Sequence, residues 1–439
     1  MALGKTKRKN AAASKTASKE SVGSGAPPAK RAKASEPALL TISRRNSVPG
    51  AVLTVGEGDT GQLGLGPDTM DCKRVKLVPQ LEKDVIDVYA GGMHTLCLTK
   101  NGKVYTFGCN DESALGRSTA EEDSEMSPGL VAGLGAPVVQ LVAGDSFSAA
   151  LTEAGEVFVW GTYRDSSGAI GLVEANQQEA APRRLPLEAS VAQLAAGSNH
   201  LALLDTAGHL YTAGNGEQGQ LARVPELFSH RGGRRGLEML LQPQRVPLGG
   251  RGARRARFDR VWAGAFCTVV RDSASGALLG AGLNNYSQLG LESAMAWSLE
   301  PMRRFSELSI DEFNGAMHHS VARAADGRVY TLGRKEDGRL GVPGLTADLT
   351  APTLVPKVAS MKFRSVSAAG YVTLAVTEDG NLYGWGMGST GQLGLGDDED
   401  RQEPEQAKGK QLENREVLLV SAGGTHTVLL ARDRQQNGH

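Results

Sequence analysis

A glycine-centred phrase of the form G-x-G-x-x-G-Q-L-G recurs seven times, with variations, along the 439 residues of this chain. Successive copies begin 51 to 53 residues apart, except for one interval of 68 residues. A fixed period near 50 residues indicates one supersecondary unit repeated as an array, so local motifs have to be interpreted within that array. The leading glycines are Gly56, Gly108, Gly161, Gly214, Gly282, Gly333 and Gly386.

The rest of each repeat predicts short β-strands. An upstream half such as VYAGGMHTLCLTKNGKVYTFG carries apolar runs of four to seven residues that are rich in Val, Leu, Tyr and Phe. Turn pairs such as Asn101-Gly102 and Asp379-Gly380 separate these runs and indicate hairpins. Four short strands in one repeat are typical of a propeller blade. A helical solenoid would contain longer helical periodicity and fewer than 56 glycines.

The two ends of the chain carry complementary halves of one repeat. The last upstream half, around His426, has no glycine phrase after it, and the phrase at Gly56 has no upstream half before it. Pairing the two ends completes a seventh blade and removes the open sheet edges of the ring. We therefore predict an all-β fold: a seven-bladed β-propeller over residues 50–432, closed by N- and C-terminal strands, between a disordered basic tail (1–49) and a short C-terminal tail (433–439).

Composition narrows the cellular setting. There is no apolar run of 18 residues and no basic-then-apolar N-terminus, so we expect a soluble, unsecreted protein with no membrane partner. The four cysteines lack C-x-x-C spacing, which predicts reduced thiols and no zinc site. The net charge is zero, but residues 1–45 carry a net charge of +9 and the remainder −9.

The N-terminal tail is rich in Ala, Ser, Lys and Pro and cannot bury enough apolar surface to fold. Its basic clusters predict a nuclear-import signal or an arm that binds DNA phosphates independently of sequence, and a merely solubilising tail is the alternative. The basic residues of these clusters are Lys5, Lys7, Arg8, Lys9, Lys30, Arg31 and Lys33.

Motifs of covalent or cofactor chemistry find no support. Three glycine phrases match the dinucleotide fingerprint G-x-G-x-x-G, but that fingerprint requires a following helix in a βαβ unit. Because the match recurs with the blade period, we interpret it as turn chemistry. No Walker A sequence, H-E-x-x-H or G-x-S-x-G is present. We expect no catalytic residue, cofactor or metal.

Histidines recur in the pattern A-G-x-x-H. We assign His94, His200, His318 and His426 to one slot of this pattern, which Phe147, Cys267 and Val372 occupy in other blades. A residue tied to a repeat slot favours a structural role in the blade turn. The same repetition would also place these side chains in a ring on one face, where a partner could contact several of them, and both interpretations stay open.

Two departures from the repeat are the candidate functional segments. The third glycine phrase, from Gly161, is two residues longer than the others and contains Arg164 and Asp165, so we expect a polar hairpin that protrudes from one face. The long interval after the fourth copy contains nine arginines and two acidic residues between 231 and 260. This arginine-rich segment predicts contact with carboxylates or phosphates. A neutral surface insertion is the alternative for the hairpin.

The sequence as a whole resembles the regulator of chromosome condensation family, whose members exchange nucleotide on the GTPase Ran. The resemblance covers essentially the whole chain and includes FGCNDESALGR, YRDSSGAIG, GEQGQL, WGMG and GKQLEN. It implies a β-wedge directed at the GTPase, formed by Tyr163, Arg164, Asp165, Ser166, Ser167, Gly168, Ala169 and Ile170. It also implies a GTPase-binding face that contains Asp59, His94, Asp145, Glu174, Asn199, Arg223, His318 and His426.

The family resemblance further implies the partners. Ran would be bound on one face, and the histone acidic patch of nucleosomes on the other, through Arg231, Arg234 and Arg235. The tail would bind DNA phosphates and nuclear import receptors, in a nuclear protein associated with chromosomes. Asn199 departs from the acidic residue of the family. If a carboxylate at this position helps to drive exchange, we expect exchange to be somewhat slower or a neighbouring residue to take its place. Two alternatives are a chromatin-binding scaffold without exchange activity and a propeller inhibitor or ubiquitin-pathway adaptor.

Overall fold

The computed structural model describes residues 39–230, 236–248 and 256–434. In this part of the chain the strands form five four-stranded sheets, one eight-stranded sheet and a separate two-stranded hairpin. The eight-stranded sheet consists of two four-stranded halves that meet only at a Gly264–Gly315 pair. The result is seven four-stranded blades, one for each glycine phrase, which confirms the all-β propeller. We number the blades 1 to 7 in the order of their glycine phrases.

The strands of each blade are antiparallel and follow the predicted runs. Blades 1 to 4 comprise Ala51–Glu57, Asp71–Leu77, Arg415–Ala422 and His426–Asp433; Val85–Ala90, His94–Thr99, Val104–Gly108 and Gly129–Leu130; Val138–Ala143, Phe147–Thr152, Val157–Gly161 and Glu179–Arg184; and Val191–Ala196, His200–Asp205, Leu210–Gly214 and Gln244–Arg245. Blades 5 to 7 comprise Phe258–Gly264, Cys267–Asp272, Leu278–Leu283 and Met295–Pro301; Ile310–Gly315, His319–Ala324, Val329–Gly333 and Leu349–Leu354; and Phe363–Ala369, Val372–Thr377, Leu382–Gly386 and Arg401–Gln406.

Helices are short and lie in the connections. The α-helices of the described residues are Glu226–His230, Leu237–Leu241 and Lys410–Glu413. Single 3₁₀ turns occupy Pro79–Leu81, Ser124–Met126, Arg303–Phe305, Glu336–Gly338 and Pro356–Val358. No helix of the described part of the chain is long and apolar enough to cross a lipid bilayer.

Blade 1 closes the ring as predicted. The strand Ala51–Glu57 pairs with His426–Asp433 in an unbroken register that runs from Ala51–Ala431 to Gly56–His426. The C-terminal segment therefore supplies the two inner strands of the blade and the N-terminal segment the two outer ones.

Alternation of antiparallel strands sorts the loops onto two faces. The innermost strand of each blade lines a central cavity of about 1020 Å³. The turn after this strand and the glycine phrase after the third strand lie on the same face, which we call the glycine face. The hairpins between second and third strands and the connections between blades lie on the opposite face.

The leading glycine of every phrase is a backbone requirement. All seven have φ between 96° and 116°, where only glycine is unstrained. A Cβ atom at these positions would also approach a carbonyl oxygen of the neighbouring turn to between 2.2 and 2.6 Å. The next residue donates its N–H to the same carbonyl, for example Cys109 to Met93 at 2.8 Å. The phrase is therefore scaffold, in agreement with its interpretation as turn chemistry.

Residues 39–49 differ from the predicted disordered tail because they contact the ring. We call residues 39–48 the strap. Its Leu40 N–H donates to the Thr206 carbonyl on the opposite face, and its Arg45 lines the central cavity. Arg45 contacts the carboxylates of Asp87 in blade 2 (3.7 Å) and Glu312 in blade 6 (3.3 Å). The Arg45 guanidinium therefore attaches the strap to two blades of the ring.

Candidate functional site

The two extra residues of the third glycine phrase form a hairpin on the glycine face. Strand Tyr163–Asp165 pairs with Gly168–Gly171, separately from the four strands of blade 3. The base is buried: Tyr163 is 1% exposed, Ile170 is 0% exposed, and the Tyr163 ring packs edge-on against Phe147 at 4.6 Å. The polar hairpin predicted from the sequence is therefore present. We call residues 163–171 the wedge hairpin.

The tip of the wedge hairpin projects into solvent. Of the residues between its buried ends, Asp165 and Gly168 are partly exposed, and the exposed ones are Arg164, Ser166, Ser167 and Ala169. The turn is closed by the Ser167 N–H, which donates to the Asp165 carboxylate at 2.8 Å. The hairpin thus combines an apolar anchor in the blade with a polar, accessible tip.

Neighbouring blades hold the wedge hairpin on both flanks. On one side the Arg164 guanidinium forms an ion pair with Glu112, in the glycine phrase of blade 2. On the other side Glu217, in the phrase of blade 4, accepts hydrogen bonds from the Ser166 N–H (3.0 Å) and hydroxyl (2.7 Å). Sequence reasoning missed both glutamates, because the repeat pattern carries no information about contacts between loops of different blades.

Asn199 connects the wedge hairpin to Asp145. Its side-chain oxygen accepts the Arg164 N–H at 2.8 Å, and its Nδ2 donates to the Asp145 carboxylate at 3.4 Å. Asn199 and Asp145 belong to the turns that follow the innermost strands of blades 4 and 3. The structure therefore brings three of the predicted elements together: the wedge hairpin, Asp145 and Asn199.

Three other predicted residues of this face are accessible but lie in separate contacts. Asp59 is exposed in the phrase of blade 1 and accepts a hydrogen bond from Gln62 at 3.3 Å. Glu174, which follows the wedge hairpin, forms an ion pair with Arg183. His318 is partly buried and packs edge-on against Tyr286 at 4.9 Å.

Arg223 has a structural position. Its guanidinium donates to the carbonyls of Thr212, Met239, Leu240 and Gln242, and so fastens the helix Leu237–Leu241 to blade 4. Burial lowers its pKa to about 10. The side chain therefore has a structural role in blade 4.

The histidine slot requires a correction. The structure places His319, not His318, opposite the leading glycine of blade 6, as His94 lies opposite Gly108. In blade 6 Gly315 occupies the alanine position of the A-G-x-x-H pattern. Because this glycine also matches the glycine of the pattern, the sequence match shifts by one residue, from His319 to His318. The four histidines that share the slot are His94, His200, His319 and His426.

These slot histidines lie beneath the glycine face and link neighbouring blades. His94 and His426, both predicted face residues, are 1% and 0% exposed, so they support the turns from below. Each Nε2 contacts a hydroxyl of the next blade, as His200 contacts Thr268 at 3.0 Å. The Thr268 hydroxyl donates its own proton to the Gln220 carbonyl. It must therefore accept the proton on Nε2 of a neutral His200 ring. The structural interpretation of the slot is therefore the one that the burial supports.

Burial depresses the pKa of all four slot histidines. The pKa of His94 and His200 falls to about 4, because desolvation disfavours the charged ring. The pKa of His319 and His426 falls to about 3, through desolvation first and then through Arg339 and His94 respectively. The buried Nδ1 atoms of His200, His319 and His426 have no hydrogen-bond partner.

Within the described residues no group of three or more His, Cys, Asp or Glu side chains could hold a metal ion. All four cysteines are free thiols, three of them buried.

Other predictions fall outside the described residues: Arg231, Arg234 and Arg235, and the tail residues Lys5, Lys7, Arg8, Lys9, Lys30, Arg31 and Lys33.

Sequence comparison places this architecture in a known family. Residues 51–429 match the family model described as the RCC1-like domain. The chain is 48% identical over 399 residues to the Regulator of chromosome condensation of Xenopus laevis, across 90% of this chain and 93% of that protein. It is 30% identical over 431 residues to the Guanine nucleotide exchange factor SRM1 of Saccharomyces cerevisiae, across 85% of each.

Solved structures agree with this placement. The crystal structure of Prp20p from Saccharomyces cerevisiae, described with its binding properties to Gsp1p and histones, matches with a TM-score of 0.78 and 28% identity, covering 91% of this chain and 94% of that one. Yeast RCC1 (Prp20) bound to Kap60 matches with a TM-score of 0.81 and 28% identity, covering 95% and 97%. The chain therefore belongs to the RCC1-like family, together with the regulators of chromosome condensation.

Proposed function

We propose that this protein is a guanine nucleotide exchange factor for the small GTPase Ran, which it binds with the glycine face. The observation that carries the proposal is the wedge hairpin, which projects from that face and is held by residues of blades 2 and 4. The names of the relatives support it, since one of them is a guanine nucleotide exchange factor and another is described as binding Gsp1p and histones.

The proposed activity forms and breaks no covalent bond. A GTPase holds its nucleotide through a phosphate-binding loop, a lysine and Mg²⁺. A partner that binds the nucleotide-free GTPase more tightly must weaken nucleotide binding by the same factor, because the two binding equilibria are linked. The wedge hairpin would supply this differential affinity by displacing the phosphate-binding elements. Abundant GTP then sets the direction of exchange.

A rigid wedge suits this role better than a mobile loop. The hairpin is anchored by buried Tyr163 and Ile170 and hydrogen-bonded at its tip, so little conformational entropy remains to be lost on binding. Asp145, Asn199, Asp59 and His318 would surround the docked GTPase on the same face.

Chromatin association forms the second half of the proposal. The segment between residues 231 and 260 carries nine arginines. Three of them, Arg231, Arg234 and Arg235, would contact the histone acidic patch. The basic tail would bind DNA phosphates and import receptors, which would place the protein in the nucleus and on chromosomes. Positive charge of this density favours phosphate and carboxylate partners, in a salt-dependent manner.

Release of labelled GDP from Ran, measured with catalytic amounts of the protein, tests the exchange activity. Arg164→Ala/Asp165→Ala should slow release, and normal release by this variant would refute the role of the wedge. Binding of nucleosomes without any nucleotide release would instead favour the chromatin scaffold. Arg231→Ala/Arg234→Ala should weaken nucleosome pulldown while release is retained, and loss of both activities would contradict two independent faces.

A further inference from the structure

Blade 4 covers one edge of the wedge hairpin with side chains instead of a strand. Within the hairpin Arg164 lies opposite Ala169. The backbone N–H of Arg164 donates to Asn199 at 2.8 Å, and its carbonyl accepts from Asn215 Nδ2 at 2.9 Å. The two asparagine amides therefore satisfy the backbone groups that an adjacent strand would otherwise pair.

Glu217 continues this contact at the tip. Its carboxylate accepts from both the N–H and the hydroxyl of Ser166, at 3.0 and 2.7 Å. Glu217 is itself held by Asn215, whose Oδ1 accepts the Glu217 N–H at 2.7 Å and whose Nδ2 lies 3.3 Å from the carboxylate. Hydrogen bonds to an ionised carboxylate are stronger than those between neutral groups.

The contact on the other flank is weaker. Glu112 pairs with Arg164, but the Arg164 side chain is 44% exposed, and an exposed ion pair contributes little to order. The wedge strands are three and four residues long, and an isolated two-stranded hairpin of this size is marginal in water. Blade 4 therefore contributes four hydrogen bonds to the wedge hairpin, and blade 2 contributes one ion pair.

We propose that Asn199, Asn215 and Glu217 are positioning residues that hold the wedge hairpin in the conformation required for nucleotide release. This inference rests on the proposed exchange function and deepens it. The three residues need not touch the nucleotide site. They act through Arg164 and Ser166, whose backbone they fix.

The neutral side chain of Asn199 is part of this arrangement. It accepts from Arg164 and donates to Asp145, and a carboxylate at this position could accept but could not donate. Asn199→Asp would place two carboxylates about 3.4 Å apart. In this chain an acid at residue 199 should therefore weaken the wedge, the reverse of the expectation drawn from the family pattern.

The first test follows the wedge in the free protein. Backbone hydrogen exchange at residues 163–171 is compared between wild type, Glu217→Ala and Glu217→Gln. We expect exchange at Ser166 to become about tenfold faster in Glu217→Ala, as for the loss of a hydrogen bond to a charged group, and intermediate in Glu217→Gln. Glu82→Ala, an exposed glutamate on the opposite face, is the matched control and should change nothing. Unchanged exchange at the wedge in Glu217→Ala would overturn the proposal.

The second test measures GDP release from Ran by wild type, Glu217→Ala and Asn199→Asp, each shown to be folded. If the wedge acts only when nucleotide is displaced, kcat should fall about tenfold in Glu217→Ala and Asn199→Asp, with KM little changed. A loosened wedge with wild-type kcat would overturn the positioning role. No release by the wild-type protein would instead refute the exchange function, and the hydrogen-exchange result, which requires no GTPase, separates the two failures.

Discussion

The four buried slot histidines predict steep acid unfolding. In the unfolded chain each ring titrates near pH 6.5, whereas in the folded protein the pKa values are about 3 to 4. The stability that the neutral rings contribute is therefore fully present above pH 6.5 and is lost as the pH falls toward the folded pKa values. At pH 5 protonation stabilises each histidine of the unfolded chain by about 2 kcal/mol relative to the folded protein. The four histidines together therefore lower the free energy of unfolding by about 8 kcal/mol.

Asp87 partly opposes this effect. Burial raises its pKa to about 6, against the lowering influence of Arg45, so the folded state takes up a proton that the unfolded state does not. At pH 5 this uptake restores about 1 kcal/mol, which leaves a net loss near 7 kcal/mol. A loss of that size is comparable to the entire stability of an ordinary domain.

Urea unfolding between pH 7.5 and 5.0, followed by the fluorescence of buried Trp160 and Trp385, measures the effect. His200→Gln removes one titrating ring and retains an amide that can donate to Thr268, so it should reduce the loss at pH 5 by about 2 kcal/mol. A pH slope near pH 5 that corresponds to fewer than about two protons, or a slope that His200→Gln leaves unchanged, would refute the assignment of neutral, buried rings.

Two further substitutions test the scaffold by urea unfolding at pH 7.5. Arg45→Ala should destabilise the protein by about 3 kcal/mol because it leaves the Asp87 carboxylate buried without its cation, and Arg45→Ala/Asp87→Asn should recover part of that loss; an additive double variant would contradict the pairing. Gly108→Ala should cost about 3 kcal/mol or more, since φ is 112° and the added Cβ meets the Met93 carbonyl at 2.6 Å. Gly276→Ala, with φ of 73° and open space around it, is the control and should cost only about 1 kcal/mol.

The glycine phrase made the fold predictable, because each copy meets the same local demand. A backbone near φ 100° that lies against a carbonyl can only be glycine, so the requirement appears at every period in the sequence. The protruding hairpin was predictable for the complementary reason, since two extra residues have no place in the regular turn. His318 was assigned to the wrong slot because a displaced pattern fits Gly315 equally well, and only the strand register distinguishes His319.

Contacts between blades could not be predicted in this way. Arg45 lies in a segment whose composition indicates disorder, yet two carboxylates from blades 2 and 6 hold it in the channel. Arg223, a predicted residue of the binding face, also contacts carbonyls of blade 4 that the sequence pattern did not indicate. The partners of Arg45 are far apart in sequence and reach it only when the ring is complete, whereas those of Arg223 lie 11 to 19 residues away within blade 4.

The regular and irregular copies of the phrase depend on each other. Glu112 and Glu217 occupy early positions of the phrases of blades 2 and 4, and the wedge hairpin of blade 3 lies between them. The fixed turn geometry of these phrases determines where the two carboxylates stand, so a displacement of Gly214 would also move the residues that hold Ser166. Loss of a scaffold glycine in blade 4 should therefore impair the wedge as well as the fold, whereas the equivalent change in blade 7, at Gly386 beside the Tyr371 carbonyl, should affect stability alone.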